Sequence, residues 1–167
     1  MTSESAGDPV DEFVADAYAT RLRRQGRTVE HPIAVSELLA DDGQPPPLVL
    51  AGLLHDLLED TDVTPAELQE RYGPEVARLV GALTQDTAIV KYGERKAALR
   101  AQILDAGPEA VIVALADKTA KLQSSEDRPK RRQMAHYRAT LDGIEARYGH
   151  SRVSERLREQ LQRWPDP

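Results

Sequence analysis

A chain of 167 residues without cysteine has no disulfide, no thiolate metal site and no cysteine nucleophile, so any metal must rest on histidine and carboxylate donors. A formal charge of −6 and an aromatic content of 4% argue against a general nucleic-acid surface, which needs a basic face and stacking platforms. The longest apolar runs, Leu48–Leu54 and Ala110–Ala116, fall far short of the ~20 residues of a membrane span. The start, MTSESAGD, lacks the basic-then-apolar order of a signal peptide, so a cytoplasmic protein with no membrane partner is expected.

Residues 1–9 are small and polar and are expected to fray. From Val10 the apolar positions Val10, Phe13, Val14 and Ala17 recur at i, i+3, i+4 and i+7, one face of a helix that fades near Arg24–Gly26. Pro32 suits the first turn of the next helix, whose apolar side is Ile33, Val35, Leu38 and Leu39. The segment Asp41–Pro47, DDGQPPP, is a break. Leu48–Leu58 is apolar nearly all round and predicts a central buried helix, into which the sequence sets His55 and Asp56. Thr64-Pro65-Ala66-Glu67 has the capping-box pattern with proline at the first helical position. Gly73-Pro74 ends that helix and starts another, with Val76, Leu79, Val80 and Leu83 as its core face. A further helix is expected from about Gly93 to Asp105, stopping at Gly107-Pro108. Ala110–Ala116 is open between strand and helix by periodicity alone; with no strand partner, and with DKTAKL continuing in helix formers, it reads as helix. Helices over about Lys130–Tyr148 and Ser151–Arg163, parted by Gly149, complete an all-α reading with one helical-bundle domain over residues 10–167.

Four pieces carry chemistry: His31-Pro32, His55-Asp56, Glu59-Asp60 and Asp117. On one continuous helix, His55, Asp56, Glu59 and Asp60 lie at i, i+1, i+4 and i+5, so successive turns direct an imidazole and three carboxylates toward one groove. So many acids beside an apolar helix are costly unless a cation or hydrogen bonds compensate, and a divalent metal is the economical explanation. Helical spacing alone leaves a solvated acidic terminus equally open.

The order of these pieces, His31-Pro32, then LLHDLLEDTDVT, then the Leu79–Leu83 helix, then LADKTAKL, resembles the hydrolase domain of RelA/SpoT proteins over about Val14 to Tyr148. Within that family it is most similar to the stand-alone small alarmone hydrolases of the metazoan SpoT-homologue type. HDLLEDTDVT fits the family pattern HD-x-x-ED-T-D-x-T. The resemblance implies an all-α HD-phosphohydrolase fold. It also implies an enzyme that uses one Mn²⁺ ion to remove the 3′-diphosphate from guanosine tetra- or pentaphosphate, so that the partner is a small nucleotide polyphosphate. It implies His31, His55, Asp56 and Asp117 as metal ligands, a mixed nitrogen and oxygen set that suits Mn²⁺. Glu59 and Asp60 match the pair that orients or deprotonates the attacking water.

By the same resemblance Arg27 and Lys91 face the substrate, Arg95, Lys96 and Lys118 add to a positive wall, and Tyr137 stands near the nucleotide. Two departures bear on the substrate. The loop between Arg27 and His31 is short, and Lys121 stands where the family has asparagine, so a group that only donates replaces one that donates and accepts. They keep open an HD phosphohydrolase acting on an adenine alarmone, a nucleoside phosphate or NADPH, beside a non-catalytic nucleotide-binding sensor and a helical scaffold. His136 and His150 fall outside the pattern in polar stretches and are expected at the surface, and Arg128–Arg132, RPKRR, reads as a solvated turn.

Overall fold

The computed structural model describes residues 12–26 and 28–165; Val10, Arg27 and the polar start lie outside the described residues. The regular structure among the described residues is helical: α1 (Glu12–Gln25), α2 (Glu30–Asp41), α3 (Pro46–Leu54), α4 (Leu57–Asp60), α5 (Pro65–Leu83), α6 (Tyr92–Ala106), α7 (Pro108–Gln123), α8 (Arg131–Tyr148) and α9 (Arg152–Gln162). No helix among them is long and apolar enough to cross a membrane.

The segment left open between strand and helix becomes the axis of the fold. Pro108 starts α7, and Ala110, Val111, Val113, Ala114, Leu115 and Ala116 are all buried. The helix packs against α2, α3, α5, α6, α8 and α9, so it needs apolar side chains on nearly every face. That demand outweighs the β preference of its valines. α9 covers one flank of α7 with Val153, Leu157 and Leu161, each worth about 1.5–3 kcal/mol when fully buried. Its start is fixed by a capping box between Ser151 and Ser154.

The helix expected over Leu48–Leu58 is interrupted. α3 ends at Leu54, and α4 begins only after His55 and Asp56. The cause is local: His55 Nδ1 donates to the carbonyl of Gly52 at 2.7 Å. In an unbroken helix that carbonyl would take the N–H of Asp56. The Asp56 carbonyl then accepts from Asp60 N–H at 3.0 Å and opens the short α4. Gly52 has a second task, because a Cβ there would lie 2.5 Å from Leu39 Cδ1 and 3.2 Å from Val35 Cγ1. Its bare backbone lets α3 approach α2, and so brings the end of α3 beside the start of α2.

The capping box expected at Thr64 is present, with Glu67 N–H donating to Thr64 Oγ1 and Thr64 N–H to Glu67 Oε2. Gly73, at φ 87°, breaks α5 into two helical stretches, as the Gly-Pro pair predicts. α6 and α8 pack on α7 and on each other, and their facing sides form the walls of a cleft.

Candidate metal centre

Three helices deliver the donors. His31 projects from the first turn of α2, His55 stands at the end of α3, and Asp117 lies in the middle of α7. Each offers one ligand atom, and these atoms all lie within 4.8 Å of one another. His31 Nε2 is 2.9 Å and His55 Nε2 is 3.4 Å from Asp117 Oδ1. Asp56 Oδ1 stands 3.2 Å from His55 Nε2. Because His55 gives its Nδ1 proton to Gly52 O, Nε2 is the atom turned toward both carboxylates.

The electrostatics record how strongly this point calls for positive charge. Burial works to lower the His55 pKa, yet the charge of Asp56 and the hydrogen bond to Asp117 push it up to about 10. Burial would raise Asp117, but the hydrogen bonds of His31 and His55 and the charge of Lys118 hold its carboxyl well below the usual carboxylate range. A second proton on His55 thus occupies ground between two carboxylates that a divalent cation suits better. The donors fit such an ion: imidazoles and carboxylates, one imidazole locked in orientation by a backbone carbonyl.

The centre sits at the seam of a cleft with two lobes, each of about 500 Å³, which share Asp56, Glu59, Lys96, Asp117 and Tyr137. The first lobe runs between α6 and α8 and is walled by Lys96, Lys118, Arg128, Lys130 and Arg132. The second is bordered by Thr28, His31, Gln85 and Lys121. Glu59 lies at the seam, held by Gln85 N–H on Oε1 at 2.8 Å and by Gln85 Nε2 on Oε2 at 3.0 Å. Its pKa is raised by burial, against the hydrogen bond from the Gln85 backbone, with the nearby Asp56 adding to the rise.

The structure therefore brings together His31, His55, Asp56, Asp117, Glu59, Lys96, Lys118, Lys121 and Tyr137. Lys118 is buried, with Nζ 3.6 Å from Asp117 Oδ2 and 5.6 Å from the Tyr137 ring centre. Lys121 is exposed on the last turn of α7 and borders the second lobe. Three other expected residues stand apart from both lobes. Asp60 is buried but borders neither, Lys91 is exposed and paired with Glu94 at 3.0 Å, and Arg95 turns onto its own loop. The Arg95 guanidinium donates to Ile89 O, Val90 O and Gln85 Oε1, so it braces residues 85–90 rather than the cleft wall. Arg27 lies outside the described residues.

His136 corrects the surface expectation: it is buried and lines the first lobe, whereas His150 is exposed and paired with Glu145, as expected. Arg128, Lys130 and Arg132 face solvent, as a solvated turn implies, and they also rim the first lobe. Gln85 was missed because its task depends on the path of the loop after α5. His136 carried a faint signal, lying four residues before Thr140 and beside the stripe Met134, Tyr137, Leu141 and Ile144.

The HD-domain family profile matches residues 11–142. Human guanosine-3′,5′-bis(diphosphate) 3′-pyrophosphohydrolase MESH1 is 36% identical over 118 residues, 65% of this chain and 65% of that protein. A Mycobacterium leprae protein named probable GTP pyrophosphokinase is 32% identical over 137 residues, 80% of this chain and 17% of its own length. A Spiroplasma citri guanosine-3′,5′-bis(diphosphate) 3′-pyrophosphohydrolase is 31% identical over 159 residues, 89% of this chain and 21% of its own. The chain thus spans less than two thirds of the length of each of these relatives.

Among solved structures, one described as a metazoan ortholog of SpoT that hydrolyzes ppGpp shares the fold with a TM-score of 0.74, at 24% identity over 98% of both chains. A Listeria monocytogenes EGD-e protein does so with a TM-score of 0.67, at 27% identity over 79% of this chain and 91% of its own. The family match spans most of the chain and includes the His55-Asp56 pair at the meeting point of α2, α3 and α7, and the protein belongs to the HD-domain family.

Proposed function

We propose that the protein is a manganese-dependent pyrophosphohydrolase that removes the 3′-diphosphate from guanosine 3′,5′-bis(diphosphate) in the cytoplasm. The observation that carries this reading is the convergence of His31, His55 and Asp117 at the seam of a cleft whose first lobe is walled by five cations. The names of the human and Spiroplasma relatives support the choice of substrate. His31, His55, Asp56 and Asp117 would hold the ion. When bound, it supplies Lewis acidity toward a phosphoryl oxygen and toward water.

The chain's own side chains supply the rest. Water attacks the phosphorus next to the ribose, the bond from that phosphorus to the 3′-oxygen breaks, and that oxygen takes up a proton to become the 3′-hydroxyl of guanosine diphosphate, with pyrophosphate as the other product. Glu59, its pKa raised by burial and its carboxylate gripped by Gln85, takes the proton of the attacking water. Asp60, buried one residue on, donates its backbone N–H to the Asp56 carbonyl within the short helix that presents Glu59. Lys96 and Lys118 hold phosphoryl oxygens in the first lobe, and Tyr137 forms the wall common to both lobes.

One observation favours a second reading. Lys121 gives the second lobe an ammonium that can only donate, which suits another arrangement of phosphates, as in an adenine alarmone, a nucleoside phosphate or NADPH. Incubating the chain and Mn²⁺ with each nucleotide separates the two readings. Pyrophosphate and guanosine diphosphate should appear from guanosine tetraphosphate. No pyrophosphate from that nucleotide, with turnover of another, overturns the first reading.

A further inference from the structure

His136 of the cationic lobe has no part in the reaction described above. It projects from α8, is 6% exposed, and lines the lobe near Lys118 and Gln133. Its Nδ1 lies 3.0 Å from Arg100 Nη1, and since a guanidinium only donates, Nδ1 is the acceptor. The Thr140 hydroxyl directs its own proton to the His136 carbonyl at 2.8 Å, one turn along the helix. With Nδ1 engaged as an acceptor, the single proton of the ring resides on Nε2. Nε2 has no hydrogen-bond partner among the described residues and is not sealed from solvent, so it opens on the lobe.

We propose that His136 is a substrate-binding residue whose Nε2–H donates to a phosphoryl oxygen held in the cationic lobe. The phosphorylated ligand rests on the hydrolase reading; the donor and its orientation rest on Arg100, Thr140 and the cleft. A neutral donor suits the position. Lys118 and Lys96 already bring charge to the same wall, and Arg100 backs the ring, so a further cation would be repelled before any ligand arrived. Burial and these three cations push the imidazole down to about 3, with Asp117 alone acting the other way. The N–H therefore stays a donor, without added charge, throughout the physiological range. Arg100 acts through His136 as a positioning residue, because its bond to Nδ1 fixes which nitrogen carries the proton.

Calorimetry of inorganic pyrophosphate binding to the metal-loaded full chain tests this, comparing wild type with His136→Gln and His136→Leu. Glutamine places an amide N–H near the position of Nε2, and leucine fills space without a donor. His136→Leu should weaken pyrophosphate binding about tenfold, the loss of one charge-assisted hydrogen bond, while His136→Gln stays within about threefold of wild type. Unchanged affinity in the leucine variant overturns the proposal, and so does equal weakening in both, which would mean packing rather than donation.

A measurement on the wild type needs no variant to fold. With diamagnetic Mg²⁺, ¹⁵N spectra should show His136 as the Nε2–H tautomer, and pyrophosphate should move its Nε2 resonance. The other tautomer, or a resonance that pyrophosphate leaves in place, overturns the proposal. Both readouts use pyrophosphate alone, so absence of guanosine tetraphosphate turnover would fail the hydrolase reading without touching the result for His136.

Discussion

Replacing Gln85 by leucine separates the positioning of Glu59 from the metal centre. The Gln85 side chain donates to Glu59 Oε2 at 3.0 Å and accepts from Lys96 Nζ at 2.9 Å and Arg95 Nε at 3.2 Å. Leucine keeps similar bulk and the backbone bond to Glu59 Oε1, and removes three bonds to charged partners. Such bonds are worth about 1.5–3 kcal/mol each when fully buried. Glu59, Lys96 and Arg95 are only half-buried, so water replaces much of the loss. We expect a total of about 2 kcal/mol, or a fall in Tm of about 4–8 °C.

The effect on rate should be larger than the effect on stability suggests. A general base contributes about 10²–10⁴-fold, and a carboxylate held on one side only should lose about tenfold in kcat. The sign of the pH effect follows from the same bonds. Burial raises Glu59 and the Gln85 bonds oppose the rise, so removing one lets its pKa climb further. A base works only when deprotonated, and activity lost as pH falls through that pKa is then lost at a higher pH in the variant. The assay is kcat for guanosine tetraphosphate across the acidic and neutral range with Mn²⁺, together with metal content by elemental analysis. Wild-type kcat with an unmoved acidic limb refutes the claim that Gln85 positions Glu59. Parallel loss of metal and rate would put Glu59 among the ligands instead.

His55→Ala and Asp56→Ala should lose metal and activity together, whereas Glu59→Gln should keep its metal and lose rate; elemental analysis beside kcat decides, and equal metal loss in both groups contradicts the division of roles. Lys91→Ala should leave kcat/KM within about twofold of wild type, since its ammonium is exposed and paired with Glu94; a tenfold loss would show that the loop before α6 swings into the cleft. His136, pushed from 6.5 down to about 3, predicts a stability change with pH. Between those values the unfolded chain binds a proton that the folded chain refuses, so this contribution is complete above about pH 6.5 and is lost as pH falls, up to about 4–5 kcal/mol in all. Urea unfolding of His136→Gln should show a shallower loss of stability over that interval than wild type, and identical slopes would count against the buried neutral imidazole.

The candidate metal ligands His31, His55, Asp56 and Asp117 were legible because they sit in short motifs whose order along the chain is distinctive. The caps at Thr64 and Ser151 and the kink at Gly73 were legible because one or two residues determine them locally. Other features depend on what a side chain meets after folding. The break at His55 arises because its imidazole competes for the Gly52 carbonyl, and an apolar run gives no sign of that contest. The separation of Glu59 from Asp60 follows from the single turn of α4: neighbours on a helix diverge by about 100°, so when Glu59 reaches the seam its successor cannot. Lys91 and Lys96 looked alike in the sequence. Lys96 lies within α6 on the side facing α7, while Lys91 ends the loop before that helix and points to solvent.

An acidic chain can still hold a polyanion because its charges are segregated over a distance comparable with the screening length. Asp56, Glu59 and Asp117 lie at the seam, and Lys96, Lys118, Arg128, Lys130 and Arg132 line the first lobe. At physiological ionic strength fields from exposed groups fade within about 8 Å, so the remaining surface acids matter little to a ligand already inside. Lys118 joins the two zones. Its ammonium is buried and lies 3.6 Å from Asp117 Oδ2, so it shares its ion-pair partner with the candidate metal centre while facing the first lobe. Exchanging Asp117 for a neutral residue would take the paired charge from a buried ammonium, which is destabilising. The candidate metal centre and the cationic wall of the first lobe are therefore one electrostatic unit, with each zone stabilising the charges of the other.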